Sequence, residues 1–456
     1  MTGTGDIATV FATHFTGEAI TPGDGGYDAA REVWNGMVQG RPSVIARCHT
    51  VADIVSAVAL CRDSGVYPAI RAGGHSVAGL STGDGVVIDL TAMRRVDIDP
   101  STRRARVQPG ATWHDLDAAG EPHGLATTGG LISATGVTGL TLGGGIGWLQ
   151  RRFGLACDNL IAADVVTAAG DVVHADADEN PELLWALRGG GGNFGVVANL
   201  DFALHPVATV YGGLMLWPFD RARDVLNEFR DWAADLPEDG SMLISIMTAP
   251  PEPFVPAELV GQRAIGLIGC WCGDLDAGAA ATQPMRDLGP AVDLFGPMPY
   301  TALQSMLDAG APFGLRNYFR TGFLDKLDDA VVDVLIEHGA ALPSPMSQIH
   351  LHQMGGAVTR GESAFANRDA AFTYNLVSTW IEPGEDDANT AANRAVATAL
   401  APLSAERAYV NFLTDNDVDL VQSAYGPDIY ARLARVKRAF DPDNLFRVNQ
   451  NVRPAQ

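Results

Sequence analysis

Cysteine is scarce. Cys48, Cys61, Cys157, Cys270 and Cys272 are five thiols in 456 residues, too few for a disulfide framework in so long a chain. Cys270-Trp-Cys272 is too close for an ordinary metal pair and has no histidine cluster beside it, so all five read as buried thiols and no metal is expected. Positive charge is short too. Lys and Arg number 31 against 54 acidic residues, a net charge of −23, which argues against nucleic acid or an anionic membrane surface as partner. No apolar run approaches membrane-spanning length, and the opening M-T-G-T-G-D-I-A-T-V-F lacks a basic region followed by a long apolar core. A reducing cytoplasm is the expected location. Internal repeats are absent as well. With 47% apolar and 19% charged residues, the chain reads as a globular protein long enough for two domains.

What is abundant is glycine, and it clusters. Residues 66–90 read V-Y-P-A-I-R-A-G-G-H-S-V-A-G-L-S-T-G-D-G-V-V-I-D-L. Two β-branched runs, 66–70 and 86–88, flank a loop containing Gly73, Gly74, His75 and Ser76, the pattern of strand, tight loop and strand, here a hairpin. Glycines let backbone N–H groups close on an anion such as a pyrophosphate, and His75 sits where it can meet whatever the loop holds. Residues 129–147 hold eight glycines and no charge in nineteen positions, which suits backbone packed against a flat ligand. A third cluster, R-G-G-G-G-N-F-G at 188–195, contains Gly190, Gly192 and Gly195 in the spacing G-x-G-x-x-G. A helix precedes it and a strand follows, the reverse of a Rossmann fingerprint, so that reading is rejected.

Between these clusters the patterns predict helices over 27–35, 51–64 (capped by Thr50, ended by Gly65), 113–124 and 181–188. Strands are expected at 104–108, 160–167, 172–175 and 196–204. Past Pro206 the texture changes. Strands are expected at 211–216, 242–248, 264–272, 347–353 and 372–380, with helices over 221–233, 329–339 and 386–400. That alternation suggests an antiparallel sheet covered on one side. Residues 408–413 read as a strand and 428–440 as a helix with Ile429, Leu433, Val436 and Phe440 on one face.

R-A-G-G-H-S, the block ending G-G-G-I-G, F-G-L-A-C-D-N, R-G-G-G-G-N-F-G-V-V and the terminal V-K-R-A-F-D-P-D-N-L-F-R-V-N-Q-N together resemble the berberine bridge enzyme-like flavoprotein oxidases. These have the vanillyl-alcohol-oxidase (PCMH-type) FAD-binding fold. The resemblance spans nearly the whole chain, with its motifs in the family's order. It implies an α+β protein with a two-part FAD-binding domain, residues 1–206 plus a returning segment 414–456. Between them, 207–413 would form a substrate domain whose antiparallel sheet, covered by helices, roofs the isoalloxazine. Cofactor contacts would come from Arg71, Ala72, Gly73, Gly74, His75, Ser76 and Gly79, and from Thr135, Gly136, Thr138, Gly139, Gly143 and Gly145. Val197, Asn411 and Asn449 complete the set. His75 matches the histidine that relatives join covalently to the flavin 8α-methyl. The cysteine that many relatives join to flavin C6 falls on Ile132 here, and Cys157 lies elsewhere, so a single covalent link is expected.

The reaction implied is hydride transfer from an alcohol or amine carbon of a small molecule, a secondary metabolite or sugar, to flavin N5. Dioxygen would be the acceptor and hydrogen peroxide the product. A dehydrogenase of the same fold using another acceptor is the alternative, and a binding module without redox chemistry a third reading that the intact His75 loop argues against. Asn375 falls where relatives place a glutamate or glutamine, and Phe412 where many have tyrosine. The base candidates left are His352, Tyr409 and Tyr374. His350 and His352 alternate with Leu351 and so share a face. A monomer or small homo-oligomer is expected.

Overall fold

The computed structural model describes residues 7–405, 407–414 and 418–456. The opening hexapeptide, read above for a leader, lies outside the described residues, as do 406 and 415–417.

The helix Val51–Ser64 starts as its sequence dictates. The Thr50 side chain accepts from the Asp53 amide, the Asp53 carboxylate takes the Thr50 N–H in return, and Gly65 at φ 66° ends the helix. Its buried Ile54, Ala57, Val58 and Cys61 pack on a four-stranded sheet ordered Glu18–Ile20, Val44–Arg47, Val86–Asp89, Ala69–Arg71. Here the hairpin expectation fails. Ala69–Arg71 and Val86–Asp89 run parallel, so the glycine loop between them crosses back over the sheet end. A buried ion pair, Arg71 to Asp89 at 2.9 Å, sits at the root of that loop. Burial alone would raise the Asp89 carboxyl, but Arg71 beside it and the bonds from Thr91 hold it below the usual carboxylate range.

A second, wholly antiparallel sheet is ordered Val96–Asp99, Arg104–Val107, Val196–Ala203, Leu160–Val166, Val172–Ala175. Helices Trp113–Gly120 and Pro181–Leu187 contribute to the core against it. The predicted 113–124 helix stops at Gly120 and tightens into a 3-10 turn, Glu121–His123, because Pro122 cannot continue the ladder. The 27–35 helix is only Tyr27–Arg31.

The third sheet is the largest. Its path runs Val292–Asp293, Thr209–Pro218, Arg263–Trp271, Gly240–Thr248, Gln348–Gln353, Phe372–Trp380, Arg316–Leu324, with Gly296–Pro299 also on Thr209–Pro218, and every pairing is antiparallel. One face packs on helices Ala222–Asp235, Asp329–Ala340 and Asp386–Leu400 through Ile244, Ile349, Leu351, Tyr374 and Leu376. The other face looks toward the glycine clusters. Among the described residues no helix is long and apolar enough to cross a membrane.

The C-terminal segment packs back on the first two sheets. Leu433 and Val436 of helix Pro427–Phe440 join the core of the second sheet, and Val448 bridges to Ala69. Its anchor is Lys437, fully buried, whose ammonium donates to the carbonyls of Asn193 (2.7 Å) and Phe446 (2.8 Å) and to the Asp441 carboxylate (2.6 Å). One cation thereby ties the terminal motif to the third glycine cluster. Residues 408–413, expected as a strand, instead form a 3-10 turn, Val410–Phe412. The Asn411 amide donates to Leu140 O (2.9 Å) and to the Tyr409 hydroxyl (2.8 Å), bonds that curl the chain away from any ladder. Lys437→Met leaves Asp441 buried without its cation. Urea unfolding should read a loss of about 3–5 kcal/mol.

Candidate active site

The first two glycine clusters meet backbone to backbone. A Cβ on Gly73 would lie 2.5 Å from Gly136 Cα, and one on Gly136 would lie 2.7 Å from Gly73 Cα, so no other residue fits either place. Around this contact the amides of Gly73 through Val77 hydrogen-bond to no backbone carbonyl among the described residues. A run of N–H groups without carbonyl partners is what an anion such as a pyrophosphate needs. Gly143 and Gly145 pack under the tail. A Cβ on Gly143 would strike Asn411 Oδ1, and the Gly145 N–H donates to the Tyr409 hydroxyl at 2.8 Å.

The other expected cofactor residues divide by role. Arg71 is committed to Asp89. Ser76 Oγ accepts from the Leu80 amide, and the Thr138 hydroxyl donates to Pro109 O. Ala72 and Thr135 flank the Gly73–Gly136 contact, with the Thr135 carbonyl held by Trp113 N–H at 3.0 Å. Gly79 (φ 74°) packs on Val38, and Gly139 faces open space. The Val197 side chain is in the core of the second sheet, so only its backbone can face a ligand. Asn449 donates to Gly192 O at 3.2 Å, beside the third cluster.

His75 is half-buried. Its ring stacks on Trp34 (centroids 4.2 Å, 16° between planes) and meets the edge of Phe313 at 6.4 Å, while Nε2 is buried without a hydrogen-bond partner among the described residues. Burial pulls its pKa down to about 4, leaving a neutral imidazole with a lone pair at physiological pH. A nucleophile toward an electrophilic methyl group needs that state. Free amides, a glycine seam and an unpartnered neutral imidazole fit FAD. Cys157 does not fit a second attachment, because burial pushes its thiol up and keeps it protonated against Ser363 and Asp158.

The third sheet supplies the opposite wall. Register places Ser245, His350, Asn375 and Thr321 in one row on the face toward the clusters, and Leu243, His352, Thr373 and Phe323 in the next. The Gln348 amide oxygen accepts from His350 Nε2 (2.8 Å) and from the Ser245 hydroxyl (3.2 Å). The His350 and His352 rings lie 5.7 Å apart, edge to face. Burial lowers the pKa of His350 to about 4 and that of His352 well below the imidazole range, with His350 adding to the second shift. His352 Nε2 and Asn375 Oδ1 are both buried and unpartnered among the described residues.

His352 and Asn375 thus share one face, in adjacent rows of neighbouring strands. Tyr409 is one ring away, since Phe412 lies 5.8 Å from His352 and 4.7 Å from Tyr409. The Tyr409 hydroxyl, however, already accepts from Gly145 and Asn411, and burial raises its pKa, so its visible work is to brace the glycine block. Tyr374 is on the wrong side. It shares the helix-packed face with Leu351 and Leu376, across the sheet from His352. Sequence reasoning missed Ser245, Gln348 and the whole strand Arg316–Leu324, which brings Phe319 and Thr321 to the cleft. A run of aromatic and β-branched residues after Gly314 was the available signal.

Fold and site define a FAD-dependent oxidoreductase, and comparisons with known proteins agree. A family model described as FAD binding domain matches residues 42–176, and one described as berberine and berberine like matches 408–453. The (R)-6-hydroxynicotine oxidase of Paenarthrobacter nicotinovorans is 31% identical over 96% of this chain and 97% of its own. Aclacinomycin-N/aclacinomycin-A oxidase of Streptomyces galilaeus is 31% identical over 93% of this chain and 89% of its own. Among solved structures, 6-hydroxy-D-nicotine oxidase from Arthrobacter nicotinovorans superposes with a TM-score of 0.87 at 28% identity, covering 97% of this chain and 98% of that one. Xylooligosaccharide oxidase from Myceliophthora thermophila, in complex with xylobiose, gives 0.87 at 26% identity, over 99% and 100%. The chain belongs to the berberine bridge enzyme-like FAD-linked oxidases.

Gly136→Ala forces the two loops apart. Purified protein should carry much less flavin than wild type and lose about 1–3 kcal/mol of stability, read by absorbance ratio and thermal melting.

Proposed function

We propose that this protein is a covalent-FAD oxidase that takes a hydride from the hydroxyl-bearing carbon of a neutral small molecule, with amines as the second substrate class, and passes the electrons to dioxygen. The observation that carries this reading is the pair of buried, unpartnered acceptors, His352 Nε2 and Asn375 Oδ1, on a sheet face whose strands bring no charged side chain to the cleft. Such atoms cost free energy unless a ligand meets them, and a substrate that presents a hydroxyl with a second donor beside it suits two neutral acceptors. Residues 1–206 with 414–456 would hold the cofactor, and 207–413 would roof the substrate.

When bound, FAD supplies a two-electron acceptor for the hydride. The chain's own residues do the rest. His75 anchors the cofactor, and the free amides of residues 73–77 bind its phosphates. Asn375 Oδ1 orients the substrate by accepting from a second donor beside the reacting hydroxyl, and His352 Nε2 takes the hydroxyl proton as the C–H bond breaks. Because the pKa of His352 lies well below the imidazole range, its lone pair stays available across the working pH range, though with less driving force than a base poised near neutrality. Gln348 Oε1 can only accept, so in this arrangement His350 carries its proton on Nε2, and burial keeps the ring neutral.

Acid precipitation should leave yellow flavin in the pellet of the wild type and release it from His75→Ala. Turnover of a substrate alcohol should yield one hydrogen peroxide per product; little peroxide with a dye still reduced would mean a dehydrogenase instead. His352→Gln should lower kcat by about 10²–10⁴ while flavin stays bound. The wild-type rate should show no acid limb near pH 6.5, since a group whose pKa is lowered this far remains deprotonated there.

A further inference from the structure

Trp34 is 3% exposed, and each of its polar groups is used. The indole N–H donates to Ala311 O (2.9 Å), the backbone N–H to Gly74 O (3.0 Å), and the carbonyl accepts from Gly314 N–H (3.0 Å). Its neighbour Asn35 donates to Val77 O (2.7 Å) and Asn317 O (2.9 Å) and accepts from the Asn317 amide (3.0 Å). Trp34 is thus clamped between the His75 loop and the edge strand of the third sheet, with Phe319 and Val377 packed on it. One face of the His75 ring lies on this plate at 4.2 Å.

We propose that Trp34 is a positioning residue for flavin attachment: its fixed indole plane sets the plane of the His75 imidazole and covers one face of it, aiming the ring nitrogen at the cofactor. The proposal rests on the reading of His75 as the attachment point. In that step the imidazole nitrogen forms a bond to the flavin 8α carbon. The imidazole gives up its N–H hydrogen and the methyl group one C–H hydrogen. The two protons and two electrons so released reduce dioxygen to hydrogen peroxide. An imidazole free to rotate would present its lone pair only part of the time, and a wetter one would spend part of its time protonated. The rings on His75, Trp34 and Phe313, carry no charge. The charged groups on adjoining segments are Arg71 and Asp89, paired with each other, Arg31 and Arg316, paired with Asp28 and Asp386, the exposed Glu32, and Asp308, which holds Ser133. Burial is therefore the main cause of the low His75 pKa.

The test uses full-length protein made in a flavin-depleted host and mixed with FAD in air, following acid-stable flavin over time from pH 5.5 to 8. Wild type should attach at a rate nearly independent of pH. Trp34→Leu, or Trp34→Met should the leucine variant not fold, should still bind FAD through gel filtration but attach about tenfold or more slowly. In that variant the rate at pH 5.5 should fall a further tenfold or so below that at pH 8, as the imidazole returns toward its ordinary value of about 6.5. Trp34→Phe keeps a stacking ring but loses the bond to Ala311, and should stay within about threefold of wild type. Attachment by the leucine or methionine variant at the wild-type rate and pH profile overturns the proposal. So does a phenylalanine variant as slow as the leucine one, which would make Trp34 merely structural. Wild-type flavin that leaves entirely in acid would instead remove the covalent reading itself.

Discussion

Two stretches of backbone touch at Gly73 and Gly136, and the rest of the site depends on that contact. It closes the loop after Arg71 against the block that opens helix Val137–Leu142, with no side chain between them. The loop is rooted by the buried Arg71–Asp89 pair on one side. The block is held from behind by amides of Trp113 and His114, which donate to the Thr135 and Ser133 carbonyls. Between these supports the amides of residues 73–77 are left without carbonyl partners among the described residues, a cost the fold sustains because an anionic cofactor can meet them.

The same economy governs the sheet above. Its helix side is an ordinary apolar core, while the cleft side carries Ser245, Gln348, His350, His352 and Asn375 in three successive rows. Low dielectric keeps both imidazoles neutral, so this wall presents hydrogen-bonding groups rather than charge. The tail joins the two halves. Tyr409 and Asn411 brace the glycine block, Phe412 touches His352, and Lys437 locks the last motif onto the third cluster. A family that acts on varied small molecules can alter the wall and leave the cradle intact.

Local signals were readable wherever chemistry is local. The capping box at Thr50 and Asp53, the glycine after Ser64 and the alternation through His350 and His352 each specify a conformation from a few neighbouring residues. The helix begun at Trp113 is read too long, to 124, although Pro122 lies just beyond its true end at Gly120. The glycine clusters announce close backbone approach, though not which cluster meets which. The strand Arg316–Leu324 escaped notice because Gly322 and two arginines interrupt its alternation, and the ladder with Phe372–Trp380 is what holds it.

By itself, then, the sequence determined the family, the cofactor class, the helices with strong caps and the residue types available for chemistry, because these reside in short motifs and local backbone preference. Tertiary structure decided the rest. Parallel pairing turned an apparent hairpin into a crossing loop, since partner choice depends on strands far apart in the chain. Both faces of Phe372–Trp380 are buried, so no polarity pattern within the strand could tell whether Tyr374 or Asn375 looks into the cleft; registry with His350 settles it. Trp34 and His75 become partners only when the edge strand of the third sheet docks against the first loop. A stacking contact of that kind has no signature in either residue's own neighbourhood.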